Sequence, residues 1–537
     1  MNLLAAALLA TALGGGVAWT TPHRVTDAPP RVHEIEGRRY VDQGLVAAGM
    51  LPAASVDFLG DTLGSFSSFA VAPGSWRRTA DGGYEGVLWT LPDRGRNDPE
   101  AGLFYDYPAR LERLRMSIAP ATAGAIGQVM LTVDGGLELR DADGQPFTGA
   151  DPDDGVAVRG GIALPVPREG ATGAGRISLD AESLQFTADG HFYVGDEYAA
   201  HVYYFDADGR LQGVLVPPPA ILPMRDGRPY FGSLKAPHSG RRNNQGVEGM
   251  ALSPDGTRLF VALQSALVQD SARGDASGRI NTRVLVYDVS REPVPKHPIG
   301  HHVVQLPAYA LAGDGGKADR TAAQSELRAL DDHRFLLLAR DGNGLGGNAA
   351  APVFKSVLLV DTTGASNLAG SRYETGTVSV LADPAATALK PGIVPARWSE
   401  LLNLLDPAQL ARAGLRLDGV AADDPQRLSE KWEAMDLLPA LDPAHPDDWL
   451  LLVGNDNDFI ARRCVMQGEA CDSPLDNDNR VLVYRLTLPL LREIPARLTS
   501  RRSSPRSPAP GASPAARCRS RWRRSAPRSA RGAAARR

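Results

Sequence analysis

Four glutamates, Glu182, Glu248, Glu326 and Glu433, each stand near the start of a short apolar segment, and a second apolar segment follows that ends in polar residues. The second segments end on Asp196-Glu197, Gln264-Ser265, Arg340-Asp341 and Asn455-Asp456, and a more degenerate copy ends on Asp93-Arg94-Gly95. Where such points meet, carboxylates crowd a low-dielectric site and repel one another unless protonated or neutralised by a cation. Oxygen-only ligands favour a hard ion, and Ca²⁺ accepts about six to eight of them in flexible geometry. Glu182, Glu248, Glu326, Glu433, Asp93, Asp341 and Asp456 are therefore the expected metal ligands. Asp196, Glu197, Arg94, Arg340 and His238 are the catalytic candidates: a carboxylate as general base, arginines that grip a phosphate bidentately, and a histidine that serves as acid or base. Each has a plainer reading. The glutamates could cap the backbone of a neighbouring copy, the arginines could pair with the carboxylates beside them, and His238 could be polar surface.

The elements that carry these residues recur. Asp189-Gly190 and Asp255-Gly256 are tight-turn pairs, because glycine accepts positive φ between antiparallel strands. Each copy is thus a meander. The run Phe335-Leu336-Leu337-Leu338-Ala339 lacks polar alternation, which fits a strand buried on both faces. A sheet of three or four such strands cannot bury both faces alone, so the copies must pack side by side around an axis. The expected fold is an all-β propeller, in which first-strand residues converge on a central channel. Four copies are clear, the degenerate one makes five, and strand-like segments at 128–132 and 137–139 supply another. The count predicts six to seven blades, with long inter-strand insertions at 217–244 and 382–429.

Other motifs fail for physical reasons. Gly342-Asn343-Gly344-Leu345-Gly346-Gly347 satisfies G-x-G-x-x-G, yet no helix follows to receive a dinucleotide. The Asp-Ala-Asp-Gly turns at Asp141 and Asp206 place Pro152 and Pro217 where a calcium loop needs glutamate. There is no G-x-S-x-G for a hydrolase serine and no Gly-rich loop ending in Gly-Lys-Ser/Thr.

The chain has 537 residues and a formal net charge of −4, but the average conceals two parts. Residues 497–537 hold 13 Arg and no acid, leaving 45 basic against 62 acidic side chains in the rest. Such an acidic body repels nucleic acid and suits cations. Residues 1–18 read as a signal peptide, 19–59 as a lead-in that is a candidate for closing the propeller, 60–490 as the propeller, and 491–537 as a disordered Arg/Ser/Pro/Ala tail. No later stretch is long and apolar enough to span a bilayer. Periplasmic or secreted location follows, and Cys464 and Cys471 are close enough to form a disulfide there.

The words Asp93-Arg94-Gly95, Asp196-Glu197-Tyr198, Asn244-Gln245-Gly246-Val247-Glu248-Gly249, Arg340-Asp341 and Asn455-Asp456-Asn457-Asp458-Phe459 occur in order across most of the chain. In this the chain resembles the phytase-like propeller family named for esterase-like activity. It departs from the pattern at Glu182-Ser183, where the family tends to have Glu-Gly, and at Ala339, where it tends to have Glu. The resemblance implies an exported propeller that hydrolyses phosphate or carboxylate esters of small molecules. The alternative is a non-catalytic propeller that binds a ligand or partner, with a structural calcium ion.

Overall fold

The computed structural model describes residues 30–489, except 36, 65, 100, 123, 273–275, 312–317 and 349. The expected signal peptide at 1–18 and the Arg-rich tail from 491 lie outside the described residues.

The described chain is mostly β and builds five four-stranded antiparallel blades, three of them separate sheets and two joined edge to edge in one ten-stranded sheet. Blade 1 holds Ser68–Val71, Tyr84–Leu91, Arg110–Ile118 and Gly127–Glu138. Blade 2 holds Ala181–Phe186, Phe192–Asp196, Val202–Phe205 and Leu211–Leu215. Val247–Leu252, Arg258–Leu263, Asn281–Asp288 and Gly300–Gln305 form blade 3. Ala323–Ala329, Arg334–Arg340, Lys355–Asp361 and Arg397–Asn403 form blade 4. Blade 5 takes Lys431–Pro439, Asp448–Asp456 and Asn479–Thr487, and its outer strand is Arg38–Leu51. The first strands pack on one another in cyclic order, blade 5 returning to blade 1. They therefore enclose an axis.

The expectation of six to seven blades is corrected to five. The segments at 128–132 and 137–139 that suggested a further blade belong to one strand, Gly127–Glu138, which is the outer strand of blade 1. Its outer edge also meets Arg38–Leu51 in parallel at Ala47 and Ala48, linking blade 1 to blade 5.

Both faces of each inner strand are consumed by packing. Leu336 and Leu338 join the core between blades 4 and 5, while Phe335, Leu337 and Ala339 of the same strand join the core between blades 3 and 4. Leu451 and Val453 likewise face blade 4 while Leu450 and Leu452 face blade 1. Unbroken apolar runs are the result, each fully buried leucine contributing about 1.5–3 kcal/mol. A disulfide joins Cys464 to Cys471 in the long loop inside blade 5, with a Cα–Cα distance of 4.8 Å.

Candidate acidic centre

Antiparallel pairing fixes which residues share a rim. Ala181 lies opposite Asp196 and Lys431 opposite Asp456, so first-strand starts and second-strand ends open on the same end of the channel. In blades 2, 3 and 5 the first strand carries a β-bulge at that rim. The register slips between Ala181 and Ser183, Val247 and Gly249, and Trp432 and Ala434, leaving Glu182, Glu248 and Glu433 as the extra residues. A bulge re-aims its side chain, and here three glutamates are turned at equivalent points of three blades. Gly246 passes so close to blade 2 that a Cβ there would lie 2.4 Å from the Glu197 carbonyl oxygen, which brings Glu197 beside Glu248.

Two oxygen clusters result, and Asp93 belongs to both. One carboxylate oxygen each from Asp93, Asp180 and Glu182 lie within 4.8 Å of one another, and so do oxygens of Asp93, Asp456 and Asp458. Asp93, Asp180 and Glu182 are 6%, 1% and 8% exposed. Such a density of buried acid is costly unless charge is removed. Burial and then the charge of Asp180 push the Asp93 carboxyl up to about 7, and burial pushes Asp180 up to about 7 against the pull of Arg94. Glu182 is driven well above the ordinary carboxyl range by burial, then by Glu248 and Asp180; Glu248 by burial, then by Glu197 and Glu433. Burial also raises Glu197, against Arg94 and Arg241, and it raises Asp456, helped by Asp458.

The cations present each have a named partner, although Arg94 Nε is buried without one. Arg94 Nη1 donates to Asp180 Oδ2 at 2.7 Å and to Ser233 Oγ at 3.3 Å, its guanidinium near the Phe104 and Tyr198 rings. Arg340 pairs with Glu433 and donates through Nε to Ser325 Oγ. Lys431 Nζ lies 2.7 Å from Asp458 Oδ1 and 3.9 Å from Asp456 Oδ2. Arg241 spends its donors on backbone carbonyls of Tyr198 and Phe231. Gln264 Nε2 donates to Glu248 Oε1 at 2.6 Å, yet Glu248 Oε2, Glu197 Oε1 and Asp180 Oδ1 are buried with no hydrogen-bond partner. The Asp93–Asp180–Glu182 cluster is all oxygen and includes one of these atoms, Asp180 Oδ1, a donor set chemically fitted to a hard cation.

The structure thus brings together Asp93, Arg94, Glu182, Glu197, Glu248, Arg340, Glu433 and Asp456 from the expected set. Glu326 is a correction, because in blade 4 the slip falls between Gln324 and Glu326 and the bulged residue is Ser325. One step out of phase, Glu326 points into the channel interior, accepting from Ser68 Oγ at 2.6 Å and from the backbone N–H of Leu327 and Met250. It caps neighbouring blades, as the plainer reading allowed. Asp196 uses its carboxylate to accept from the N–H groups of Asp180, Tyr198 and Ala199. Asp341 accepts from Val353 and Phe354 N–H and from Lys355 Nζ at 2.8 Å. His238 stands in a surface bend beside the hairpin of Met224–Arg225 and Arg228–Pro229, its side chain 57% exposed and 3.6 Å from Asp226. Sequence reasoning passed over Asp180 and Lys431 as members of the site. A signal was available, since each precedes a recurrent glutamate by two residues.

Residues 63–459 match a family model described as Phytase-like: Esterase-like activity of phytase. An uncharacterized secreted protein of Arthroderma benhamiae is 32% identical over 480 residues, covering 82% of this chain and 92% of that one. Among solved structures, U3-55K overlaps with a TM-score of 0.26 at 10% identity, covering 78% of this chain and 95% of that one. An ancestral GH74 enzyme overlaps with a TM-score of 0.23 at 14% identity, covering 56% of this chain and 26% of its own length. Both structural overlaps are too loose to bear on function.

Proposed function

The chain belongs to the phytase-like family described by esterase-like activity of phytase, and from that premise we propose that its acidic centre performs metal-assisted hydrolysis of phosphate or carboxylate esters of small molecules. The observation that carries this reading is the unbalanced buried charge, above all the three unpartnered oxygens on Asp180, Glu197 and Glu248. Asp93, Asp180 and Glu182 would hold the ion, with Glu248, Glu433 and Asp456 facing it from neighbouring blades. Calcium bound there supplies a Lewis acid that polarises an ester oxygen and acidifies a water.

The protein's own groups do the rest. Burial raises the Glu197 carboxyl, and its Oε1 has no hydrogen-bond partner, which suits a general base that takes a proton from water. Arg94 and Arg340 act as positioning residues, holding Asp180 and Glu433 by charge-assisted bonds. Asp196 orders the turn that carries Glu197, and His238 takes no part. The test is turnover of phytate and of p-nitrophenyl phosphate, phosphodiester and acetate esters, with calcium and with chelator. Calcium-dependent turnover is expected, and Glu197→Gln should lower kcat by about 10²–10⁴-fold while calcium still binds. Absence of turnover on every ester, with calcium bound, overturns the hydrolase.

That outcome would favour a binding propeller with a structural ion. The depth of burial supports this second reading, since Glu182, the most exposed of its trio, is only 8% exposed and an ion enclosed by protein has no open coordination position. Either way the relative named as secreted and the Cys464–Cys471 disulfide support export to the periplasm or beyond. Among the described residues no helix is long and apolar enough to cross a membrane.

A further inference from the structure

We infer that Lys431 is a resident cation that fills the second oxygen cluster, so that the acidic centre accepts one divalent ion and not two. The inference rests on the metal reading above. The two clusters are alike in donor type and share Asp93. They differ in what already sits in them. The ammonium of Lys431 lies 2.7 Å from Asp458 and 3.9 Å from Asp456, two of the three members of one cluster. A compact point charge on a flexible stem is the side chain best able to imitate a metal ion among carboxylates.

The Asp93–Asp180–Glu182 cluster has no such occupant. Its nearest cation, Arg94, bonds only the Oδ2 of Asp180, leaving the buried Oδ1 without a partner. A planar guanidinium held near two rings cannot enter between the carboxylates as an ammonium can. The sequence therefore assigns its divalent ion to one side of Asp93 by placing a lysine on the other.

Calcium binding to the chelator-stripped full chain, followed by isothermal titration and by equilibrium dialysis against calcium chloride alone, tests this. The parent should bind one equivalent, and Lys431→Met should bind two. One equivalent in Lys431→Met, or two in the parent, overturns the inference and leaves the metal reading standing. No calcium bound by the parent overturns the metal reading and the inference together. A second pair keeps the test decisive if Lys431→Met does not fold. Asp458→Asn should keep the single equivalent and the calcium-induced rise in Tm, whereas Asp180→Asn should lose both. Loss of calcium in Asp458→Asn overturns the inference, because that carboxylate would then belong to the divalent site.

Discussion

Two layers of one channel treat buried charge in opposite ways. In the interior, Glu326 accepts from Ser68, Leu327 and Met250, and it pairs with Arg328 at 3.2 Å. Arg328 reaches on to Asp436 and donates to the carbonyls of Met250, Leu327 and Phe69. Both carboxylates there share a cation, and both oxygens of each have hydrogen-bond partners. At the rim, the carboxylates of Asp93, Asp180, Glu182, Glu197, Glu248, Glu433, Asp456 and Asp458 outnumber the arginines and lysine beside them, and three oxygens have no partner. A matched buried network joins blades, whereas an unmatched one is stable only with protons or a cation. The same residue type one step apart in register serves the first purpose in Glu326 and the second in Glu248.

The sharpest break should come from the interior. Arg328→Ala leaves Glu326 and Asp436 without their shared cation, and loss of one partner from a buried network costs about 3–5 kcal/mol. Chemical denaturation should show that loss equally with calcium and with chelator. A variant as stable as the parent would mean that the interior layer is not what locks the blades.

At the rim the signs reverse. Calcium should stabilise the parent by RT ln(1 + [L]/Kd), about 2.7 kcal/mol at 100 times Kd. Glu182→Gln should shrink this rise in Tm, yet in chelator it should melt no lower than the parent, because a repelling charge has been removed. A loss of stability in chelator alone would return Glu182 to a purely structural role.

Changing pH separates the layers again. Asp93 and Asp180 titrate at about 7 in the folded chain, above the value of about 3.9 expected unfolded. The folded state then binds more protons over this interval, so these groups lower the stability of the metal-free protein as pH rises from about 4 to about 7. Calcium replaces the protons, and its stabilising effect should grow across that window. Glu326, also raised to about 7, contributes a slope of the same sign that calcium does not remove. Melting curves at several pH values with calcium and with chelator give both slopes, and a calcium effect flat in pH would contradict the assignment of Asp93 and Asp180. The smallest change is expected from His238→Ala. The side chain is largely solvated, so stability should stay within about 0.5 kcal/mol and turnover should be unaltered.

Much of this was legible in the residues. The Asp-Gly turns and two-faced apolar runs identify the inner meanders of blades 2 to 4, and the recurrent glutamates mark the rim. What escaped is backbone detail and distance along the chain. A bulge leaves no mark on residue type, so Glu326 reads as the counterpart of Glu182 although Ser325 holds that place in the bulge. Gly127–Glu138 looks like a new blade because pairing with Arg110–Ile118 cannot be told from pairing with a later strand. Asp180 and Lys431 were hidden by their ordinary places before apolar strands, where acids and lysines are common as solvated ends.

The strand Arg38–Leu51 gives the molecule a schedule. Gln43 donates to Thr487, 444 positions away, and the same strand touches blade 1 at Gly127. During synthesis blades 2 to 4 can form as each emerges, but the seam between blades 5 and 1 must wait for Asn479–Thr487. Contacts of such long sequence separation form late and slowly. Until then the acidic rim lacks Glu433 and Asp456, the blade 5 carboxylates that would face the ion, so a growing chain has an incomplete rim. Any metal capture at this rim would thereby be tied to the end of assembly.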